Sequence, residues 1–133
     1  MILLDTHVWL WWVQTPDRIR ESARRRIESE ESRNGLLVSA VSFWELALKC
    51  SIGKLELPMN VRDWLAAARA YPGIRIIPLS AEAAAESTLL PGSFHNDPAD
   101  RFLVAQARER GIPLATADGK ILSYPFVETV ECG

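Results

Sequence analysis

Ile2-Leu3-Leu4-Asp5-Thr6 places three large apolar residues in a row at the start of the chain and closes them with two polar ones. A strand with one wet face alternates polar and apolar residues, whereas a short unbroken apolar run suits a strand covered on both faces, as inside a parallel sheet. The same signature returns at Leu36-Leu37-Val38, behind the Asn34-Gly35 break, at Ile74 to Leu79, behind Pro72-Gly73, and at Ile112 to Ala115, behind Gly111. Phe126 to Val130 alternates well enough to read as a closing strand.

Helical patterns fill the intervals. Val8 to Val13 is an apolar, helix-like stretch, and Ile19, Ala23 and Ile27 recur every four residues in a segment opened by Pro16-Asp17, so a helix with one buried stripe is expected there. Ser39 to Ser42 leads into a helix through Lys49. Asn60 to Tyr71 carries Trp64, Leu65 and Ala68 on one side, and Ser80 caps an alanine-rich helix ended by Pro91-Gly92. Asp97-Pro98 opens a further helix that Gly111 stops, and a short helix follows Asp118-Gly119. Strands alternating with helices predict an α/β layer fold around a mostly parallel sheet, with no internal repeat, low-complexity tract or linker.

The bulk numbers fit one domain over residues 1–133: this length suffices to bury about two-thirds of the unfolded surface, and 48% hydrophobic with 24% charged residues is ordinary globular composition. No apolar stretch approaches the ~20 residues of a membrane span. The amino end lacks a basic segment and cleavage site, so a cytoplasmic protein is expected. Two cysteines, Cys50 and Cys132, without Cys-x-x-Cys spacing suggest neither a disulfide scaffold nor a zinc site. A net charge of −2 decides nothing about nucleic acid, because binding depends on local patches.

In parallel α/β sheets, sites lie beyond the carboxyl ends of the strands. Four acids fall there: Asp5 after the first strand, Glu45 in the helix after the second, Asp100 at the start of the Asp97-Pro98 helix, and Asp118 after the fourth strand. Each also has a local explanation. Asp5 can cap the next helix, Ser42 and Glu45 have capping-box spacing, Asp97 suits an N-cap with Asp100 at N3, and Asp118-Gly119 suits a turn. No local explanation accounts for four of them sharing one edge. Carboxylates brought within a few ångströms repel, and the common remedies are a retained proton or a hard divalent cation, Mg²⁺ or Mn²⁺, with oxygen ligands. Such an ion activates water and stabilises charge on a phosphodiester, so no nucleophilic side chain is needed. The sequence has no Gly-x-Ser-x-Gly elbow, Walker-type loop or Gly-x-Gly-x-x-Gly fingerprint.

Leu3-Leu4-Asp5-Thr6-His7, Ser39-Ala40-Val41-Ser42-Phe43-Trp44-Glu45-Leu46, Asp97-Pro98-Ala99-Asp100-Arg101-Phe102-Leu103-Val104-Ala105-Gln106-Ala107 and Leu114-Ala115-Thr116-Ala117-Asp118, in this order, resemble the motifs of the PIN-domain ribonucleases, and among them the VapC-type toxins of toxin–antitoxin systems. The resemblance covers nearly the whole chain. It implies a three-layer α/β/α fold with four to five strands and a Mg²⁺- or Mn²⁺-dependent endoribonuclease. It makes Asp5, Glu45 and Asp100 the main acids and Asp118 the fourth around the metal. Thr6 and Thr116 would orient the acids or water, with Asp97 beside them. It also implies a homodimer held inactive by a VapB-type antitoxin whose tail enters the acidic site.

The family's core motif is purely acidic, so His7 and His95 are expected to pack or hydrogen-bond beside the site. For the RNA path, positive charge is available at Arg18, Arg20, Arg24 to Arg26, Lys49, Lys54, Arg101 and Lys120. Lys49, one turn beyond Glu45, and Arg101, next to Asp100, are the best placed. The five tryptophans are expected in the core or an interface rather than as base platforms. Two rivals stay open: a phosphoryl-transfer α/β domain using Asp5 as acceptor, and a PIN-like module that binds RNA or protein without cutting.

Overall fold

The computed structural model describes residues 1–133. Strands β1 (Leu3–Leu4), β2 (Leu36–Ser39), β3 (Ile74–Ile77), β4 (Leu114–Thr116) and β5 (Thr129–Glu131) form one sheet in the order β3-β2-β1-β4-β5. All four pairings are parallel. The expected α/β layer fold is therefore found, with the first strand of the chain at the centre of the sheet.

Helices α1 (Thr6–Gln14), α2 (Glu21–Arg33), α3 (Ala40–Ser51), α4 (Val61–Arg69), α5 (Ala81–Glu86), α6 (Pro98–Arg110) and α7 (Gly119–Leu122) cover the sheet. Successive strand residues point to opposite faces. Ile2, Leu4, Leu36 and Val38 accordingly pack into one core with Trp9 and Trp12 of α1, Ala23 and Ile27 of α2, and Trp64 of α4. Leu3, Leu37 and Leu114 pack into a second core with Ala83 of α5, Leu103 and Val104 of α6, and Ile121 of α7. These are the three layers.

Two local readings are corrected. Ile19 is buried but lies outside the helix: it is extended, at φ −79°, ψ 130°, after a 3₁₀ turn at Pro16–Arg18, and α2 begins only at Glu21. Helix α3 is capped by Ser39, whose hydroxyl accepts from the Val41 N–H at 3.0 Å, and not by Ser42. The capping box between Ser42 and Glu45 therefore does not form, and Glu45 is left for other work.

Among the tryptophans, Trp9 stacks between Phe43 and Trp64 in the first core, with centroids 4.8 and 5.3 Å away. Trp44 stands 51% exposed on α3, outside the core, which leaves an interface as the expectation open to it. No helix is long and apolar enough to cross a membrane.

Candidate active site

The connection from β1 runs toward β2 and β3, while β4 and β5 lie on its other side, so the strand order reverses at the boundary between β1 and β4. Chains diverge there and leave a crevice at the carboxyl ends of the strands. Asp5 stands directly beyond β1 and Asp118 two residues beyond β4, on the two walls of that crevice. Helices α3 and α6 bring Glu45 and Asp100 to it. A cavity of about 100 Å³ is lined by Asp5, Thr6, His7, Glu45, Lys49, Asp97, Asp100 and Asp118, with no apolar residue among them. Larger grooves exist, the largest about 510 Å³ beside Trp64 and Tyr71, but that one carries no acid, so size does not locate the chemistry.

Asp5 is buried and held at both oxygens: Oδ1 accepts from the Val8 N–H at 2.7 Å and Oδ2 from the Thr116 hydroxyl at 2.5 Å. Thr116 in turn accepts the Asp118 N–H at 3.0 Å, so one hydroxyl ties the two walls together. Burial pushes the Asp5 carboxyl above its usual range, against the opposing pull of the Thr116 and Val8 hydrogen bonds and the His7 charge, with Glu45 adding repulsion. Thr6 donates from Oγ1 to Ser42 Oγ at 2.9 Å, fixing α1 to α3 one turn before Glu45. Glu45 is buried, and its Oε2 lies 3.0 Å from Lys49 Nζ.

Asp97 caps α6 by accepting the Asp100 N–H at 2.9 Å, which sets Asp100 at the mouth of the helix. The Asp100 carboxyl is pushed up to about 7, first by burial and then by the nearby charges of Asp97, Asp118, Glu45 and Asp5. That repulsion from four acids is the electrostatic signature of a shared site. His95 Nε2 lies 2.9 Å from Asp100 Oδ2, off the line of a hydrogen bond. No three carboxyl or imidazole groups converge as a closed ligand set; Glu45 lies against Lys49 and Asp100 against His95.

The local explanations thus coexist with the shared cavity: Asp5, Asp97 and Asp118 are each an N-cap as well as a wall residue. Arg101 does not line the cavity. Its guanidinium donates from Nε and Nη1 to three backbone carbonyls, so these groups are engaged within the protein. Other basic candidates are also engaged: Arg20 with Glu131, Arg24 with Asp17, Arg25 with Glu21, and Arg18 over the Trp11 ring. Ser42 was read only as a possible cap, and its bond to Thr6 spans 36 residues of sequence. Gln106 was not singled out: fully buried, it accepts from the Ser39 hydroxyl at 2.6 Å and donates to the Pro78 carbonyl at 3.2 Å, tying α6 to the end of β2. An isolated polar residue inside the apolar run Phe102 to Ala107 was its only mark in the sequence.

The PIN domain family model matches residues 2–127. Ribonuclease VapC22 of Mycobacterium tuberculosis is 35% identical over 123 residues, covering 92% of this chain and 91% of its own. Among solved structures, VapBC2 from Rickettsia felis, bound to a promoter DNA fragment, superposes with a TM-score of 0.73 at 17% identity over the whole of both chains. Mycobacterium tuberculosis VapC20, a Sarcin-Ricin loop cleaving toxin, does so at 0.66 and 17% over 96% of this chain and 98% of its own. With a family model spanning almost every residue and a relative of this identity along its full length, the chain belongs to the PIN-domain family and to its VapC-type members.

Proposed function

We propose that the chain is a Mg²⁺- or Mn²⁺-dependent endoribonuclease toxin, a single domain acting on RNA in the cytoplasm and silenced by a VapB-type antitoxin. The observation that carries the reading is the arrival of Asp5, Glu45, Asp100 and Asp118 from four elements at one apolar-free cavity, with Asp100 pushed up to about 7 by burial and its neighbours. An all-oxygen donor set fits a hard divalent cation, which also relieves that repulsion. When bound, such a cation supplies Lewis-acid stabilisation of the scissile phosphate and an activated water.

The chain's own residues do the rest. Thr116 and the Val8 N–H fix Asp5 in one orientation, Thr116 holds the Asp118 backbone beside it, and the Asp97 cap fixes where Asp100 enters. Lys49, at the cavity wall, is the cation available to a phosphate entering beside Glu45. Names of relatives favour RNA as substrate, since one is a ribonuclease and another a Sarcin-Ricin loop cleaving toxin. An antitoxin partner is favoured by neighbours that are VapBC and toxin–antitoxin complexes. The phosphate-acceptor rival fares worse, because a phosphatase of the kind that uses such an acceptor would carry a second Asp two residues on, where this chain has His7.

Cleavage of a panel of structured RNAs with Mg²⁺ or Mn²⁺ tests the reading. Asp5→Asn and Asp100→Asn are each expected to lower the rate by about 10²-fold or more, the scale of several kcal/mol of lost charge stabilisation. Undiminished cutting in both variants, or in excess chelator, rules the mechanism out. RNA retention without any cutting by the wild type favours a binding module instead.

A further inference from the structure

Residues 88–96, between α5 and α6, contain no helix or strand, yet they are pinned along their length. Arg101 Nε donates to the Ser87 carbonyl at 2.7 Å, and its Nη1 donates to the carbonyls of Phe94 and His95 at 3.0 and 3.1 Å. The Tyr124 hydroxyl donates to the Pro91 carbonyl at 2.5 Å. Phe94 packs edge-on against the His95 ring, with centroids 4.6 Å apart, and against Tyr124 at 4.7 Å. Three aligned backbone acceptors for one guanidinium fix both ends of the segment at once, since a planar fork constrains direction as well as distance. The fixed segment delivers one functional group, the His95 imidazole, to 2.9 Å from Asp100 Oδ2.

We infer that Arg101 and His95 are positioning residues for the acidic site: Arg101 clamps the 88–96 strap, and the strap seats His95 against Asp100, so that this carboxyl is presented to the cavity in one orientation. The inference rests on the metal-site reading above. A carboxylate free to rotate must lose that freedom when it takes up a cation; one already held against a neighbour has lost it in advance, which is why partners behind a metal ligand raise affinity by about 10- to 100-fold. Arg101 also meets the site through its backbone, being peptide-bonded to Asp100 and donating its N–H to the Asp97 carbonyl at 3.1 Å, but those links survive replacement of the side chain, whose own bonds all go to the strap and so reach the site through His95.

Mn²⁺ affinity, measured on the intact chain by titration calorimetry with RNA absent, tests this apart from catalysis. His95→Ala and Arg101→Gln are each expected to weaken Mn²⁺ binding by about 10-fold. His95→Gln, which keeps a polar side chain of comparable reach against Asp100, should stay within about 3-fold of wild type. The double variant His95→Ala, Arg101→Gln should bind no more weakly than His95→Ala alone, because both act along one route; two independent structural losses would multiply instead. Thermal melts identify any variant that fails to fold, and His95→Ala, which leaves the clamp intact, carries the test if Arg101→Gln does. Unchanged affinity in His95→Ala, or multiplied losses in the double variant, overturns the inference while leaving the metal site standing. A wild-type chain that takes up no Mn²⁺ overturns both.

Discussion

Thr116 shows how one hydroxyl serves two acids, donating to Asp5 Oδ2 and accepting the Asp118 N–H from within a fully buried position. Thr116→Val keeps the shape and removes both bonds. Leaving these buried groups unmatched is expected to cost about 1–3 kcal/mol in denaturant unfolding and to push the Asp5 carboxyl further up. Asp100 makes a separate prediction. Its folded-state value of about 7 lies above its ordinary 3.8, so the folded chain holds that proton more tightly than the unfolded one. Its contribution to stability is therefore complete below about pH 4 and is lost as pH rises through about 7. Melting temperatures in chelator should fall across that window, and the fall should flatten in Asp100→Asn. Added Mn²⁺ should raise the melting temperature more at pH 8 than at pH 5.5, since proton and cation compete for the same carboxyl. At this scale Asp5 and Asp118 were legible because each sits just past an apolar run. Glu45 was ambiguous, because its spacing from Ser42 matches a cap that forms at Ser39 instead. The inward turn of Arg101 was not legible: its acceptors are backbone carbonyls, which carry no residue identity.

At the scale of elements, apolar runs and breakers gave away the strands, while their ends shifted by one to three residues where tertiary hydrogen bonds decided them. Ile74 to Leu79 shortens to Ile74–Ile77, and Phe126 to Val130 becomes Thr129–Glu131. Ile19 misled because its side chain continues the buried stripe of Ala23 and Ile27 from outside the helix. The strap shows in the sequence as a helix end at Pro91-Gly92 and as His95 beside the site, but nothing local predicts that Arg101, Tyr124 and Phe126 meet it. Gly92 sits at φ +67°, and a Cβ there would come within 2.8 Å of the Phe126 ring. Gly92→Ala is expected to destabilise the fold by about 1–2 kcal/mol through left-handed strain alone, more if the ring cannot move. Calorimetric unfolding measures the loss, and an unchanged melting temperature would show the strap to be softer than its contacts imply.

The whole molecule leaves one apolar strip uncovered: Trp44, Leu48 and Ile52, four residues apart along α3 and its end, are 51%, 40% and 56% exposed, beside a groove of about 290 Å³ that Trp44 shares with Leu79 and Phe102. The homodimer that the resemblance to VapC-type toxins implies would cover this strip with a second copy. Trp44→Lys is expected to shift sedimentation toward the monomer with the melting temperature of the monomer fold retained; a wild type that sediments as a monomer at high micromolar concentration overturns the expectation of a homodimer. Every contact within the sheet is parallel, and β1, made first, pairs with β4 more than a hundred residues later, at Leu3 with Leu114. A nascent chain therefore displays Asp5 early but gains the opposite wall, Thr116 and Asp118, only after more than a hundred further residues have been made. A cavity built this way stays open on one side until β4 and the turn after it have been made, so a product truncated before β4 has Asp5 but lacks Thr116 and Asp118, and with them the wall that faces it.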